Sequence, residues 1–120
     1  MLKKSNRLKS NRAFRATYRN NSSINSNAIV LHIGQEKNDI SCPTRVGFVV
    51  SKKIHKRAVI RNRIKRIMRE CVRLLIKKGS LTDKYQSLIF TAKNNFLDKS
   101  FQEIEDIIIS LNQKMANKKI

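Results

Sequence analysis

The stretch RVGFVVSKKIHKRAVIRNRIKRIMRE, residues 45–70, joins two kinds of element end to end. RVGFVVS is rich in β-branched residues and reads as a strand. From about Val59 to Lys78 the apolar residues Ile60, Ile64, Ile67, Met68, Cys71 and Leu75 recur at helical spacing, and Gly79 supplies a stop. Five Lys and Arg fall in the nine positions 61–69. At about 100° per residue, Arg61, Asn62, Lys65, Arg66, Arg69 and Arg73 lie away from the Ile and Met stripe, so one face meets a core and the other presents cations. The row Arg61, Lys65, Arg69, Arg73 runs in four-residue steps, which costs roughly a few tenths of a kcal/mol per neighbouring pair. Glu70, four residues after Arg66, offers the local relief, and the helical wheel sets Arg63 nearer to it than to the main column. The face is either a solvated one or a binding surface, and the shortage of acids favours the second: phosphate oxygens at regular intervals would resolve the repulsion, because Arg contacts them bidentately, and the amide of Asn62 both donates and accepts.

Working outward, SNRAFRATYRNN (10–21) predicts a short helix: Ser10 can cap it, no Gly or Pro breaks it, and Phe14 and Tyr18 stand four apart on one face. Those rings sit among Arg12, Arg15 and Arg19, a setting that suits a core or a platform for unpaired bases. NNSSINSN (20–27) reads as a polar connection. AIVLHIG (28–34) and RVGFVVS (45–51) are separated by turn formers and the only Pro, which suggests an antiparallel pair. QSLIFTAK (86–93) reads as another strand. SFQEIEDIIISLNQKM (100–115) reads as a helix with a capping box of Ser100 and Glu103 and a buried face of Phe101, Ile104, Ile107, Ile108, Leu111 and Met115. The expected architecture is a single α+β domain over residues 1–120, helices against one sheet, with flexible ends at about 1–6 and 116–120.

Charge narrows the partners. The 120 residues carry 27 Lys and Arg against 8 Asp and Glu, a formal net charge of +19. Residues 1–35 hold +7 and residues 51–78 hold +11, while the other segments are nearly balanced. A polyanion is the partner this distribution favours. The apolar runs are short, so a membrane partner is not expected, and MLKKSNRLKS has no apolar core of a secretion signal behind its basic start. A cytoplasmic protein is expected, with Cys42 and Cys71 as reduced thiols because they fit no metal spacing. VSKKIHKR (50–57) begins where a strand ends, so Ser51, Lys52 and Lys53 should lie near the start of the basic helix. His32 and His55 have no evident partner in sequence. The eight carboxylates show no metal-binding pattern, and no catalytic or metal-ligating residue is expected in the chain itself.

Residues 45–70 closely resemble the signature of the bacterial ribonuclease P protein subunit, whose RNR motif is an Arg-Asn-Arg followed by a hydrophobic residue and Lys-Arg on a helix. RLKSNRAFRATYR (7–19) is similar to that family's opening helix with its paired aromatics. The resemblance implies a small domain like one in a ribosomal protein: a mixed, mainly antiparallel four-stranded sheet with a left-handed βαβ crossover. It implies that an RNA subunit cleaves the 5′ leader from precursor tRNA with Mg²⁺ held mainly by RNA, and that the protein assists without catalysing. Arg61, Asn62, Arg63, Lys65, Arg66, Arg69 and Arg73 would bind the ribonuclease P RNA. Phe14, Tyr18, His32, Ser51, Lys52 and Lys53 would line a cleft for the single-stranded leader. Tyr18 stands where a second Phe is common, and His32 is a poorer stacking platform than an aromatic. The rival reading is a ribosomal or general RNA-binding protein with no part in tRNA processing.

Overall fold

The computed structural model describes residues 4–39, 41–82 and 84–117. Three helices and four strands follow one another: α1 (Asn11–Arg19), β1 (Ser22–Asn25), β2 (Ile29–Ile33), β3 (Arg45–Val49), α2 (Ala58–Lys77), β4 (Ser87–Ala92) and α3 (Phe101–Ala116). Of the ends expected to be flexible, residues 1–3 and 118–120 lie outside the described residues. Lys4–Asn6 form a 3₁₀ turn, and Ala116 is the last residue of α3.

The helices start where their caps place them. Ser10 accepts a hydrogen bond from the Ala13 N–H, and Ser100 and Glu103 form the complete capping box, each side chain meeting the other's backbone N–H. Gly79 ends α2 with a positive φ of 68°, which costs glycine no steric clash. Phe101 shares the wheel face of Ile108 and Asn112 but stands at the first position of α3, ahead of the first buried residue Ile104, and is exposed; the buried stripe is Ile104, Ile108, Leu111 and Met115. Asn112 joins that stripe instead. Its amide accepts from the Thr82 N–H at 3.0 Å and donates to the Ser80 carbonyl at 2.8 Å.

Two expectations are corrected in the sheet. Residues 22–25, read as part of a connection, form the edge strand β1, pairing antiparallel with β2. Ile24 alone packs on the core, so the alternation that marks a strand has a single apolar member. β2 and β3 do not pair with one another; the order is β1-β2-β4-β3, with β2–β4 antiparallel and β3–β4 parallel. β4 takes the place between them because Leu88, Ile89, Phe90 and Ala92 leave almost nothing of it for solvent. The segment β3–α2–β4 is therefore a parallel crossover.

The registers divide the sheet into two faces, since directly paired residues point the same way. Ile29, Leu31, Ile33, Val46, Leu88, Phe90 and Ala92 join the main core with α2 and α3 residues such as Ile64, Met68, Ile104 and Ile108. On the other face His32, Gly47, Ser87 and Ile89 underlie α1, which contacts β2 and β4. Thr17 is the buried residue of α1. Its hydroxyl donates to the Ala13 carbonyl, leaving the Ser87 hydroxyl to donate to Thr17. Asn20 donates to the carbonyls of Ile33 and Gly34 and moors the far end of α1 to β2.

Candidate nucleic-acid interface

Phe14 and Tyr18 lie on the flank of α1 beside the sheet. A Cβ built at Gly47 would stand 2.6 Å from Phe14 Cζ, so the ring lies directly over glycine backbone. Tyr18 is 41% exposed and meets His32 edge-on, with centroids 4.9 Å apart. Burial lowers the pKa of His32 and favours the neutral imidazole in that contact. The sequence left the aromatic pair between core and platform. Both rings are seated against the sheet, and neither is fully covered.

The cations of α2 separate into groups that the helical wheel did not resolve. Lys65 and Arg69 line a groove of about 290 Å³ together with Phe14, Gly47, Phe48 and Arg7. The Arg69 guanidinium lies 5.8 Å over the Phe48 ring, which itself stacks on Phe90. Arg61 is turned back toward the chain before the helix and donates to the carbonyls of His55 at 3.0 Å and Lys56 at 2.7 Å. Glu70 pairs with Arg73 through two hydrogen bonds of 3.0 and 2.6 Å, rather than with Arg66 or Arg63. An acid preceding a base along a helix is the favoured order, which explains the choice. The two hydrogen bonds from Arg73 hold the Glu70 carboxyl below the usual carboxylate range. Asn62, Arg63 and Arg66 remain exposed.

No acid stands in the first turn of α2, and its cap residue Arg57 makes no side-chain cap bond. The positive end of the helix dipole thus coincides with basic side chains, an arrangement that an anionic partner relieves. Ser51, Lys52 and Lys53 form the exposed turn after β3, where the Ser51 hydroxyl accepts from the Lys53 N–H at 2.9 Å. No hydrogen bond or ring contact among the described residues joins this turn to Phe14, Tyr18 or His32. Both cysteines are free: Cys42 is exposed and Cys71 buried. No helix among the described residues is long and apolar enough to cross a membrane.

A small α+β domain with a cationic helix beside a partly open aromatic groove defines a protein built to hold a polyanion with unstacked aromatic groups, which is the chemistry of single-stranded nucleic acid. Comparison with known proteins agrees. The family model for ribonuclease P matches residues 2–116, and the chain belongs to the ribonuclease P protein family. It is 36% identical over 111 residues to the ribonuclease P protein component of Clostridium botulinum strain Langeland, covering 92% of this chain and 95% of that one. It is 37% identical over 117 residues to that of Alkaliphilus oremlandii, covering 95% and 94%. Among solved structures, a Staphylococcus aureus RNase P protein superposes with a TM-score of 0.75 at 27% identity, covering 93% of this chain and 95% of that one. The Thermotoga maritima RNase P protein, at 22% identity and a TM-score of 0.74, shares the fold over 90% of this chain and 96% of its own. The chain is thus a protein component of the tRNA-processing ribonucleoprotein, which sets aside the ribosomal reading.

Proposed function

We propose that the chain assists an RNA catalyst from two surfaces: it grips the ribonuclease P RNA through Asn62, Arg63 and Arg66 and holds the 5′ leader of precursor tRNA in the groove of Phe14, Lys65 and Arg69. The observation that carries this reading is the meeting of Phe14 with Lys65 and Arg69 in one groove. An unpaired strand needs a surface for its base and a cation for its phosphate, and the groove offers both within one nucleotide's reach. Tyr18 and His32 continue the platform along the sheet. Lys52 and Lys53 add charge at the end of β3, and Ser51 holds that turn. Arg61 and Arg73, committed to the His55 and Lys56 carbonyls and to Glu70, serve the shape of the helix more than its RNA contacts.

The division of labour is supported by what the carboxylates do. Glu70 is engaged by Arg73, Glu103 by the cap of α3, Asp39 by Ser41, and Asp106 accepts from Gln102. Among the described residues no three His, Cys, Asp or Glu side chains gather as a metal site would require. Mg²⁺ and the attacking water therefore belong to the RNA subunit in this reading, and the protein works with that RNA in the cytoplasm. The test is reconstitution at low Mg²⁺ with ribonuclease P RNA and precursor tRNA. Protein alone should leave the precursor intact, and protein with RNA should release the leader faster than RNA alone. Cleavage at the mature 5′ end by purified protein, abolished by replacing one of its carboxylates, would reverse the assignment.

A further inference from the structure

α1 has a second flank. With Thr17 pointing into the sheet, helix geometry sets Phe14 and Tyr18 to one side and Ala13 and Ala16 to the other, roughly 100° or more around the axis. The Ala flank forms one wall of a groove of about 460 Å³, whose floor and far wall include Arg45, Gln86, Lys37 and Cys42. This groove and the Phe14 groove flank α1 on either side and share only Leu8 among their lining residues.

The rims of this second groove are cationic. Arg12 and Arg19 lie within roughly 60° of Ala16 on the wheel and are exposed on the outer side of α1, above the wall opposite Lys37 and Arg45, which line the groove. None of the four makes a side-chain hydrogen bond or salt bridge within the described residues. The acid lining the groove is Asp39, and its carboxylate already accepts from the Ser41 N–H at 3.0 Å and the Ser41 hydroxyl at 2.7 Å. Those bonds hold its pKa down, with Lys37 adding a smaller pull, so Asp39 stays an anion that offsets part of the Lys37 charge and leaves Arg45 and the two α1 arginines in excess. The walls offer small side chains (Ala13, Ala16, Pro43) and amides (Asn38, Gln86); the one large aliphatic residue among the lining, Leu8, is itself buried, and no aromatic lines the groove.

We infer that this groove is a second RNA-binding site, in which a ribose-phosphate strand lies between Arg12 and Arg19 on α1 and Lys37 and Arg45 opposite. Small walls admit a backbone closely, unpaired cations meet its phosphates, and the amides of Asn38 and Gln86 can both give and take hydrogen bonds with sugar or base edges. α1 is then gripped on both flanks. The site rests on RNA as the partner but not on the leader occupying the aromatic groove. Its strand can come from the RNA subunit or from the precursor tRNA.

The protein carries its own reporter. Cys42 is exposed in the groove, while Cys71 is buried and its thiol is pushed up to about 12, chiefly by burial. A thiol-reactive aryl azide will therefore load on Cys42 of the unaltered chain. Irradiation of the complex with ribonuclease P RNA and precursor tRNA should label RNA, and mapping the labelled nucleotide tells which RNA supplies the strand. A control chain, Cys42→Ser with Tyr18→Cys, reports the aromatic groove in the same way. In parallel, Lys37→Gln/Arg45→Gln should weaken assembly at least fivefold and reduce the log–log salt slope by about 0.7–0.9 for each phosphate no longer neutralised. Either an unchanged salt slope or a Cys42 probe that reacts only with protein overturns the second groove. Labelling from position 18 but not from Cys42 leaves the proposed function standing; silence from both positions removes it as well.

Discussion

Replacing Gly47 by Ala tests the aromatic platform without touching an aromatic. The new methyl carbon would stand 2.6 Å from Phe14 Cζ, 2.7 Å from Cε1 and 3.2 Å from Leu8 Cδ2. Ordinary carbon contacts begin near 3.5 Å, so the ring must retreat by roughly 1 Å, outward into the groove it shares with Lys65 and Arg69. Overpacking of this kind costs about 1–3 kcal/mol, offset by roughly 0.5–1 kcal/mol because Ala loses less backbone entropy in a strand than Gly. Urea unfolding should therefore show a net loss of about 1–2 kcal/mol. The binding effect is larger in kind. A ring displaced by 1 Å no longer stacks squarely, and stacking is worth about 1–3 kcal/mol per base, which is roughly 5- to 150-fold in affinity. The assay compares the affinity of the reconstituted complex for precursor tRNA with that for tRNA lacking the leader. Gly47→Ala should erode the preference for the leader-bearing RNA and leave the other affinity nearly unchanged. Adding Phe14→Leu should relieve the clash and recover stability without recovering the preference. If the single variant loses stability while the leader preference survives intact, Phe14 is a packing residue and the groove is not a stacking site.

Arg61→Gln should cost about 1–2 kcal/mol in unfolding free energy, because it removes donors from the His55 and Lys56 carbonyls, whereas Arg66→Gln should stay within about 0.5 kcal/mol of the parent. Arg66→Gln should still lower the salt slope of RNA binding, so denaturant melts and salt titrations together separate the two arginines. Asn112→Ala should destabilise by about 2–3 kcal/mol, since it strands the Thr82 N–H and the Ser80 carbonyl, and an unchanged urea midpoint would show that water replaces the amide freely. The pKa of His32 is lowered by burial from 6.5, so between that value and the lower folded value the unfolded chain binds more protons. Stability should accordingly fall as pH drops below about 6.5, and His32→Gln should flatten that part of the profile in denaturant melts across pH 5–8.

Much of the helical frame is legible from local chemistry. Ser10, the Ser100–Glu103 box and Gly79 mark ends that backbone hydrogen bonding requires, and the stripe from Ile64 to Leu75 marks the buried face of α2. The sheet is less legible because pairing is not local. Strands 29–33 and 45–49 look like a hairpin across their turn residues, yet β4, arriving some forty residues after β3, enters between them. β1 is nearly silent, since a polar edge strand is defined by its neighbour more than by its own residues. The residues of the cationic helix can be named from the sequence, but not their allegiances. Whether Glu70 takes Arg63, Arg66 or Arg73 depends on side-chain direction, and whether Arg61 faces solvent depends on the path of the preceding turn. The Lys37 and Arg45 groove gives no signal in sequence, because its walls come from three separate segments.

β3 lies at the edge of the sheet, and the opening segment runs along its outer side: the Leu8 N–H bonds the Val46 carbonyl at 3.0 Å, Arg7 bridges Val46 in parallel, and the Asn6 amide reaches the Thr44 carbonyl. An uncovered edge is a template on which another chain can add a strand, the usual first step toward aggregation. Position along the chain gives this cover a particular value during synthesis. When β3 leaves the ribosome its inner partner β4 has not yet been made, so the strand would have both sides bare. Residues 6–8 are already present by then and can occupy one side at once. The same segment therefore guards a nascent chain whose own sheet cannot close until β4 emerges.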